Sequence, residues 1–262
     1  MGCLMESLRI SPLTGIGEIR AGDDVARELI AALERGGHAP KTGDVLVVTH
    51  KIVSKAEGRE IPLDSVTPSS QALALSEKTK KPPELVQLII EESEEIIMEA
   101  RGILICRSRL GWTCANAGVD QSNVLGERCA VLLPVDPDKS ARELSERIGG
   151  HFGCRIALII SDTHGRPLRE GIVGVAIGCS GIDPMRSYIG KADRAGRLMK
   201  ASIEAVADEL AAAASILMGQ GSESVPAVLV QGYDFPYVEC GAEALKRDRQ
   251  REFFTAKTGG FI

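Results

Sequence analysis

Two short apolar runs most limit what this chain can fold into: Val45–Val48 (VLVV) and Ile156–Ile160 (IALII). Both read as buried strands, and Pro226–Val230 reads as a last one. The second run leads directly into Ser161–Arg169, SDTHGRPLR. A tight turn is expected here. Gly165 is free to take φ > 0, and Pro167, lacking an N–H, stops the strand. An acid (Asp162), a hydroxyl (Thr163), an imidazole (His164) and two guanidiniums (Arg166, Arg169) then share one strand exit. A carboxylate for a metal and guanidiniums for anions suit a phosphorylated substrate. The plain alternative is a polar surface turn with a salt bridge.

Around this centre the pattern mixes helices and strands. Asp23 and Asp24 open a helix with Val25, Leu29 and Leu33 on one face, closed by Gly36-Gly37. Ser69–Lys78 is helix-like. Lys81-Pro82-Pro83 breaks it and starts a second helix, Glu84–Glu99, carrying Glu91, Glu92, Glu94 and Glu95. Those four carboxylates either bind metal or form a solvated face. Ile103–Cys106, Ala130–Val135 and Ile172–Ile177 are strand candidates, and Ser140–Ile148 is a helix. A long helix over about Ala195–Met218 shows the stripe Met199, Ile203, Val206, Leu210, Ala213, Leu217. The stretch from Ala242 reads as helical and highly charged. Strands and helices are mixed, with no strict repeat and no linker, so any two domains are interleaved.

Net charge is −5 and aromatics make up 3% of 262 residues, which argues against a nucleic-acid surface or a base-stacking platform. No apolar run approaches the roughly 18 residues of a membrane span. MGCLMESLRI lacks the pattern of a signal peptide, and Met1-Gly2 lacks the Ser or Thr that myristoylation wants at the sixth position. The expectation is a cytoplasmic protein. Seven cysteines scattered without a CxxC pair fit free thiols.

Three polar loops carry the chemistry. Asp120 lies in GWTCANAGVDQSN (Gly111–Asn123), Asp162 in the central stretch, and Gln220 in GQGSES (Gly219–Ser224). If they converge, two carboxylates and an amide can hold one or two divalent ions, with oxygen ligands favouring magnesium or manganese. Taken alone, the Asp120 loop is equally a capping loop. Lys51, Lys55 and Arg59, spaced four apart on the strand-to-loop exit after VLVV, either face an anion or form a solvated basic face. Lys55, Arg166 and Arg169 can neutralise phosphates, and glycines at 15, 17, 219 and 221 permit close backbone approach. The set fits phosphoryl chemistry. It contains neither GxxxxGK[ST] nor a GxGxxG opening a helix. The D-x-H of metallophosphoesterases is present in SDTHG, but no histidine follows His164 to complete such a site.

SKAEGR (Ser54–Arg59), EESEE (Glu91–Glu95), NAGVDQSN (Asn116–Asn123), SDTHGRPLREGIVGVAIG (Ser161–Gly178) and MGQGSESVPAV (Met218–Val228) occur in the order seen in one family. The chain resembles the coenzyme F-420:L-glutamate ligases, the γ-glutamyl ligases that tail a deazaflavin cofactor. The likeness is strongest over residues 8–232, and 233–262 adds little. It implies an α+β fold with mixed sheets particular to that family, either one unit over 1–262 or two interleaved subdomains, in an intertwined homodimer. It implies GTP-dependent ligation of L-glutamate to the coenzyme precursor through an acyl phosphate, then γ-linked addition of more, with release of GDP and phosphate. A nucleotide-dependent amide ligase for another carboxylate acceptor is the alternative.

By the same resemblance Asp120 and Asp162 match ligands of a first divalent ion, and Thr163 and Gln220 those of a second. Manganese or magnesium would fill these places, with potassium as an activator. Gln220 departs from the glutamate often found there, and a neutral amide is a weaker ligand. Ile16, Gly17, Glu18, Ile19, His50, Lys51, Lys55, Asn123 and the loop Met218, Gly219, Gly221, Ser222, Glu223, Ser224, Val225 match stretches that contact GTP. Arg166 and Arg169 join Asp162 as expected catalytic groups on chemical grounds.

Overall fold

The computed structural model describes residues 7–124, 126 and 128–251. In chain order it contains β1 (Arg9–Leu13), α1 (Val25–Arg35), β2 (Val45–Thr49), α2 (His50–Ala56), β3 (Glu60–Pro62), α3 (Ser70–Thr79) and α4 (Pro83–Glu91). There follow β4 (Ser93–Ala100), β5 (Ile103–Ser108), β6 (Thr113–Ala115), β7 (Cys129–Val131) and α5 (Pro137–Phe152). The last elements are β8 (Ala157–Arg166), β9 (Arg169–Ser180), β10 (Arg186–Ser187), β11 (Ile203–Glu204), α6 (Val206–Met218) and β12 (Ala227–Gln231). Sheets with parallel and antiparallel pairs, joined by helices, make the fold α+β as expected. The chain forms two compact units, residues 1–60 with 133–242, and residues 61–132 with 243–262.

The first unit is built on a five-stranded sheet ordered β1-β12-β2-β8-β9. Its one parallel pair, β2 with β8, lies inside, flanked by antiparallel neighbours. Inner strands covered on both faces need apolar side chains on both, which is why VLVV and IALII do not alternate. All of Val45–Val48 and Ala157–Ile160 are fully buried. Each such aliphatic side chain contributes about 1.5–3 kcal/mol.

Helices approach closely where β9 has glycine. A Cβ on Gly178 would lie 2.5 Å from Pro137 of α5, and one on Gly174 would lie 2.6 Å from the Ala211 carbonyl of α6. Helix α1 begins as its sequence predicts, with Asp24 accepting the Arg27 N–H at 3.0 Å and Gly36 at the C-cap.

The second unit packs α3 and α4 against the sheet β4-β5-β6, with β3 paired to β7. Its core includes Leu63, Val86, Ile89, Leu104, Cys106 and Leu132.

Four expectations are corrected. The central stretch is not a turn: β8 runs on through Asp162, Thr163 and His164 to Arg166, and the chain reverses only at Pro167-Leu168. Gly165 accordingly has no positive φ. The helix expected over Glu84–Glu99 stops after Glu91, and Ser93–Ala100 pairs with β5 instead. Pairing to a neighbour outweighs helix propensity there. Its acids do not gather: Glu94 pairs with Arg249, and Glu95 lies 3.9 Å from Arg107. Among the described residues no group of three or more His, Cys, Asp or Glu could hold a metal ion.

The long helix begins only at Val206. Residues 186–204 form an exposed hairpin ending in β10 and β11, with Ile203 half exposed. Finally, the segment after VLVV is a helix, α2, and not a loop. After Ala242 the described residues form only the short turns Ala242–Leu245 and Arg249–Arg251; the rest of that expected helix, Met1-Gly2 and Cys3 lie outside the described residues. The six described cysteines are free thiols. No described helix is long and apolar enough to cross a membrane.

Candidate active site

Strand β8 leaves the core at Ser161, and its residues become polar as they become accessible. Successive strand side chains point to opposite faces. Asp162 and His164 therefore share one face, and Thr163 takes the other.

On the first face Asp162 is held by two imidazoles. His164 Nε2 lies 3.1 Å from its Oδ2, and His50 Nε2 lies 3.3 Å from its Oδ1. An ionised carboxylate only accepts hydrogen bonds, so both rings present N–H at Nε2. The Thr163 backbone N–H donates to the same carboxylate at 2.6 Å. His50 opens α2 directly after β2 and is 2% exposed. Its Nδ1 lies 3.2 Å from the hydroxyl of Ser54, one turn further along the helix. With Nε2–H committed to Asp162, the Ser54 hydroxyl satisfies the ring's other nitrogen. Burial alone would raise the Asp162 carboxyl. The His50 and His164 imidazoles overcome it and hold the group well below the usual carboxylate range.

On the second face Thr163 Oγ1 accepts from Gln220 Nε2 at 3.3 Å. Gln220 stands just past α6, in a loop folded on itself. Gly221 N–H donates to Glu223 Oε2 at 2.8 Å, and Ser224 Oγ donates to the Ser222 carbonyl at 3.4 Å. Gly219, at φ 68°, faces the Glu223 carboxylate so closely that a Cβ would lie 2.2 Å from it. Met218 and Val225, at the loop's two ends, are half-buried.

The Pro12–Ile19 segment belongs to this unit too. Ile16 and Ile19 are buried and Gly17 and Glu18 exposed, while the Gly15 carbonyl accepts from Arg35 at 2.8 Å. Lys55 is 5% exposed and paired with Glu18, so the expected choice between an anion site and a solvated basic face is settled against solvation for this residue. Lys51 is half-buried.

Two expected residues of this unit are not gathered here. Arg166 and Arg169 flank the hairpin end. Arg166 is four residues, or about 13 Å of strand, beyond Asp162, and its guanidinium bonds the Glu170 carbonyl. Arg169 is exposed. Asp120 and Asn123 lie in the second unit. There Asp120 accepts from Ser122 N–H at 3.0 Å and Ser122 Oγ–H at 2.6 Å, and Asn123 is exposed at φ 55°.

The donor set fits a hard divalent ion. The Asp162 carboxylate keeps about one of its four lone-pair sites, and on the strand's other face a hydroxyl and an amide oxygen offer further oxygen ligands, with no closed cage. Mg2+-type ions are commonly held in that way, by one or two carboxylates with substrate phosphates completing the shell. Ser54 escapes assignment from sequence, and His164, named there among the groups at the strand exit, gains its role only from its bond to Asp162. Ser54 sits at i+4 from His50, a spacing that carries meaning only once the segment is known to be helical.

The sequence profile described as F420-0:Gamma-glutamyl ligase matches residues 15–232. A protein named coenzyme F420:L-glutamate ligase from Methanothermobacter thermautotrophicus is 44% identical over 256 residues, covering 97% of this chain and 99% of the relative. Proteins of the same name from Methanopyrus kandleri (43%, covering 87% of this chain and 88% of the relative) and Archaeoglobus fulgidus (44%, covering 86% and 88%) are similar over most of their length. The motifs that carry Asp162, Thr163 and Gln220 fall inside the matched span, and the chain belongs to the F420-0:gamma-glutamyl ligase family.

Proposed function

We propose that this protein ligates L-glutamate to the deazaflavin coenzyme F-420 precursor, using GTP, and then extends the tail through γ-linkages. The observation that carries the reading is the Gln220–Thr163 bond that ties the loop after α6 to β8, next along the strand from Asp162, which His50 of α2 locks. Family membership supplies the substrate class.

In this reading the terminal phosphoryl of GTP passes to the acceptor carboxylate, giving an acyl phosphate and GDP. The glutamate amine then attacks that carbonyl and expels phosphate, forming the amide. Asp162 would supply a carboxylate to one divalent ion, for which the family pattern adds Asp120, and Thr163 and Gln220 would supply oxygens to a second. Manganese or magnesium there would neutralise phosphate charge, and potassium would act as an activator. The chain's own groups do the rest. His50 and His164 keep Asp162 ionised and aimed. Lys55, already desolvated beside Glu18, presents a cation to a phosphate. The segment Ile16–Ile19, Lys51, Asn123 and the folded loop Met218–Val225 line the nucleotide. Arg166 and Arg169 meet anionic substrate at the hairpin end. A homodimer and a cytoplasmic location complete the proposal.

The test combines purified protein, GTP, MnCl2, labelled glutamate and the deglutamylated coenzyme, with mass spectrometry of the tail. Added glutamates matched by GDP and phosphate are expected. Amide formation on some other acid, with none on the coenzyme, would transfer the reading to another acceptor. GTP binding without phosphate release under any acceptor would make the protein a nucleotide-binding regulator and end the proposal.

A further inference from the structure

Asp208 is a largely buried acid that the proposed chemistry leaves unused. It sits in the first turn of α6, and its Oδ1 accepts the backbone N–H of Ala176 in β9 at 2.9 Å. That N–H marks an irregularity. Ile160 pairs with Gly178, but the next residue, Ser161, pairs with Ala176, so Ile177 is an extra residue on β9. A bulge leaves a backbone group outside the ladder, bends its strand and re-aims neighbouring side chains. Ala176 is 2% exposed, so its N–H has no recourse to water.

The bulge stands one residue before Asp162. It also decides which β9 residue lies under α6. Gly174 pairs with Thr163 and meets Ala211 of the helix at a separation that admits no Cβ, whereas its neighbours are Val173 and Val175. A slip by one residue would exchange the faces and drive a valine into the helix. Helix α6 is thus tied to the strand pair twice, by Asp208 to Ala176 at its start and by Gln220 to Thr163 just past its end.

We propose that Asp208 is a positioning residue: by holding the Ala176 N–H it fixes the β9 bulge that directs Asp162 toward His50 and Thr163 toward Gln220. Burial raises its carboxyl, a cost the Ala176 bond and the nearby His164 only partly offset, so this acid is kept at a position that penalises it. The consequence for ion binding rests on the ligase reading; the geometric claim does not.

The experiment compares the full-length parent with Asp208→Ala, Asp208→Asn and the control Leu210→Ala, a buried residue on the same helix. The first readout is long-range ¹H–¹⁵N NMR of the imidazoles in metal-free protein, where only four histidines contribute. His164 also senses the Asp208 charge directly, so the His50 signals are the ones that report on Asp162. They should move in Asp208→Ala and keep parental positions in Asp208→Asn, which retains the acceptor oxygen, and in Leu210→Ala. If Asp208→Ala does not fold, Asp208→Ser, too short to reach Ala176, replaces it. The second readout is Mn2+ binding by EPR, expected to weaken by about 10-fold or more in Asp208→Ala alone. Parental His50 signals in Asp208→Ala, or equal shifts in Leu210→Ala, would overturn the inference. A parent that binds no Mn2+ would count against the ligase reading, while the His50 signals would still decide the role of Asp208.

Discussion

Gly174→Ala is the sharpest probe of how the site is held. The new Cβ would lie 2.6 Å from the Ala211 carbonyl oxygen and 3.0 Å from both the Ala211 carbonyl carbon and Ser215 Cβ. Ordinary contact begins near 3.4 Å, so α6 must retreat by roughly 0.8 Å, and the obstacle is helix backbone that cannot rotate aside. Overpacking of this kind costs about 1–3 kcal/mol. For a chain of this size that is about 2–4 °C of Tm for each kcal/mol. The same retreat breaks the Gln220–Thr163 bond, which at 3.3 Å has no slack. Denaturant melts and glutamate ligation should therefore fall together. Gly165→Ala is the matched control. Its Cβ would meet nothing within 4 Å, and its φ is not positive, so stability should hold or rise slightly. A Gly174→Ala variant within about 0.5 kcal/mol of the parent and fully active would refute the account of α6 as the element that carries Gln220 to Thr163.

Asp208→Asn should be more stable than the parent at pH 7. The native carboxyl is raised above its ordinary 3.8, so native-state stability falls as pH climbs through the raised value, and the amide escapes that loss. The gain should vanish near and below pH 3.8, where both folded and unfolded chains are protonated, as melts across pH will record. Lys55→Met should leave the denaturation midpoint nearly unchanged: removing one partner of an ion pair is costly when the other charge stays buried, and Glu18 keeps access to solvent. It should nonetheless raise KM for GTP by about 10- to 100-fold, the loss of one charged hydrogen bond; an unchanged KM would remove Lys55 from the nucleotide site. Asp162→Ala and Asp120→Ala should each abolish phosphate release, and near-normal rates in both would contradict their assignment as ligands.

Much of the site was readable from residue types alone. Asp162, Thr163 and Gln220 announce oxygen-ligand chemistry, and two of the three turn out to be hydrogen-bonded to each other. What misled was the backbone between landmarks. Polar residues and a glycine before Pro167 read as a turn, yet β9 offers five further pairings along Asp162–Arg166, and the strand continues. The acids at Glu91–Glu95 have helix propensity, but β5 supplies a partner from Ser93 onward. Ser54 was invisible because its meaning depends on α2 being a helix. Asp208 was invisible because the true start of α6 was placed too early.

The order of residues by itself determined which segments must be buried. VLVV and IALII have no polar face, so no arrangement could leave them at a sheet edge facing water. The amino acids also fixed the available chemistry, since hard-cation ligands and phosphate-binding cations are properties of side chains. Only the tertiary structure decided which groups meet. His50 and Asp162 are far apart in the chain, and they touch because β2 and β8 run parallel side by side, with Thr49 beside Ser161. Such pairings depend on strand register and on one extra residue in β9. Both are settled by packing among distant segments, which no local pattern encodes.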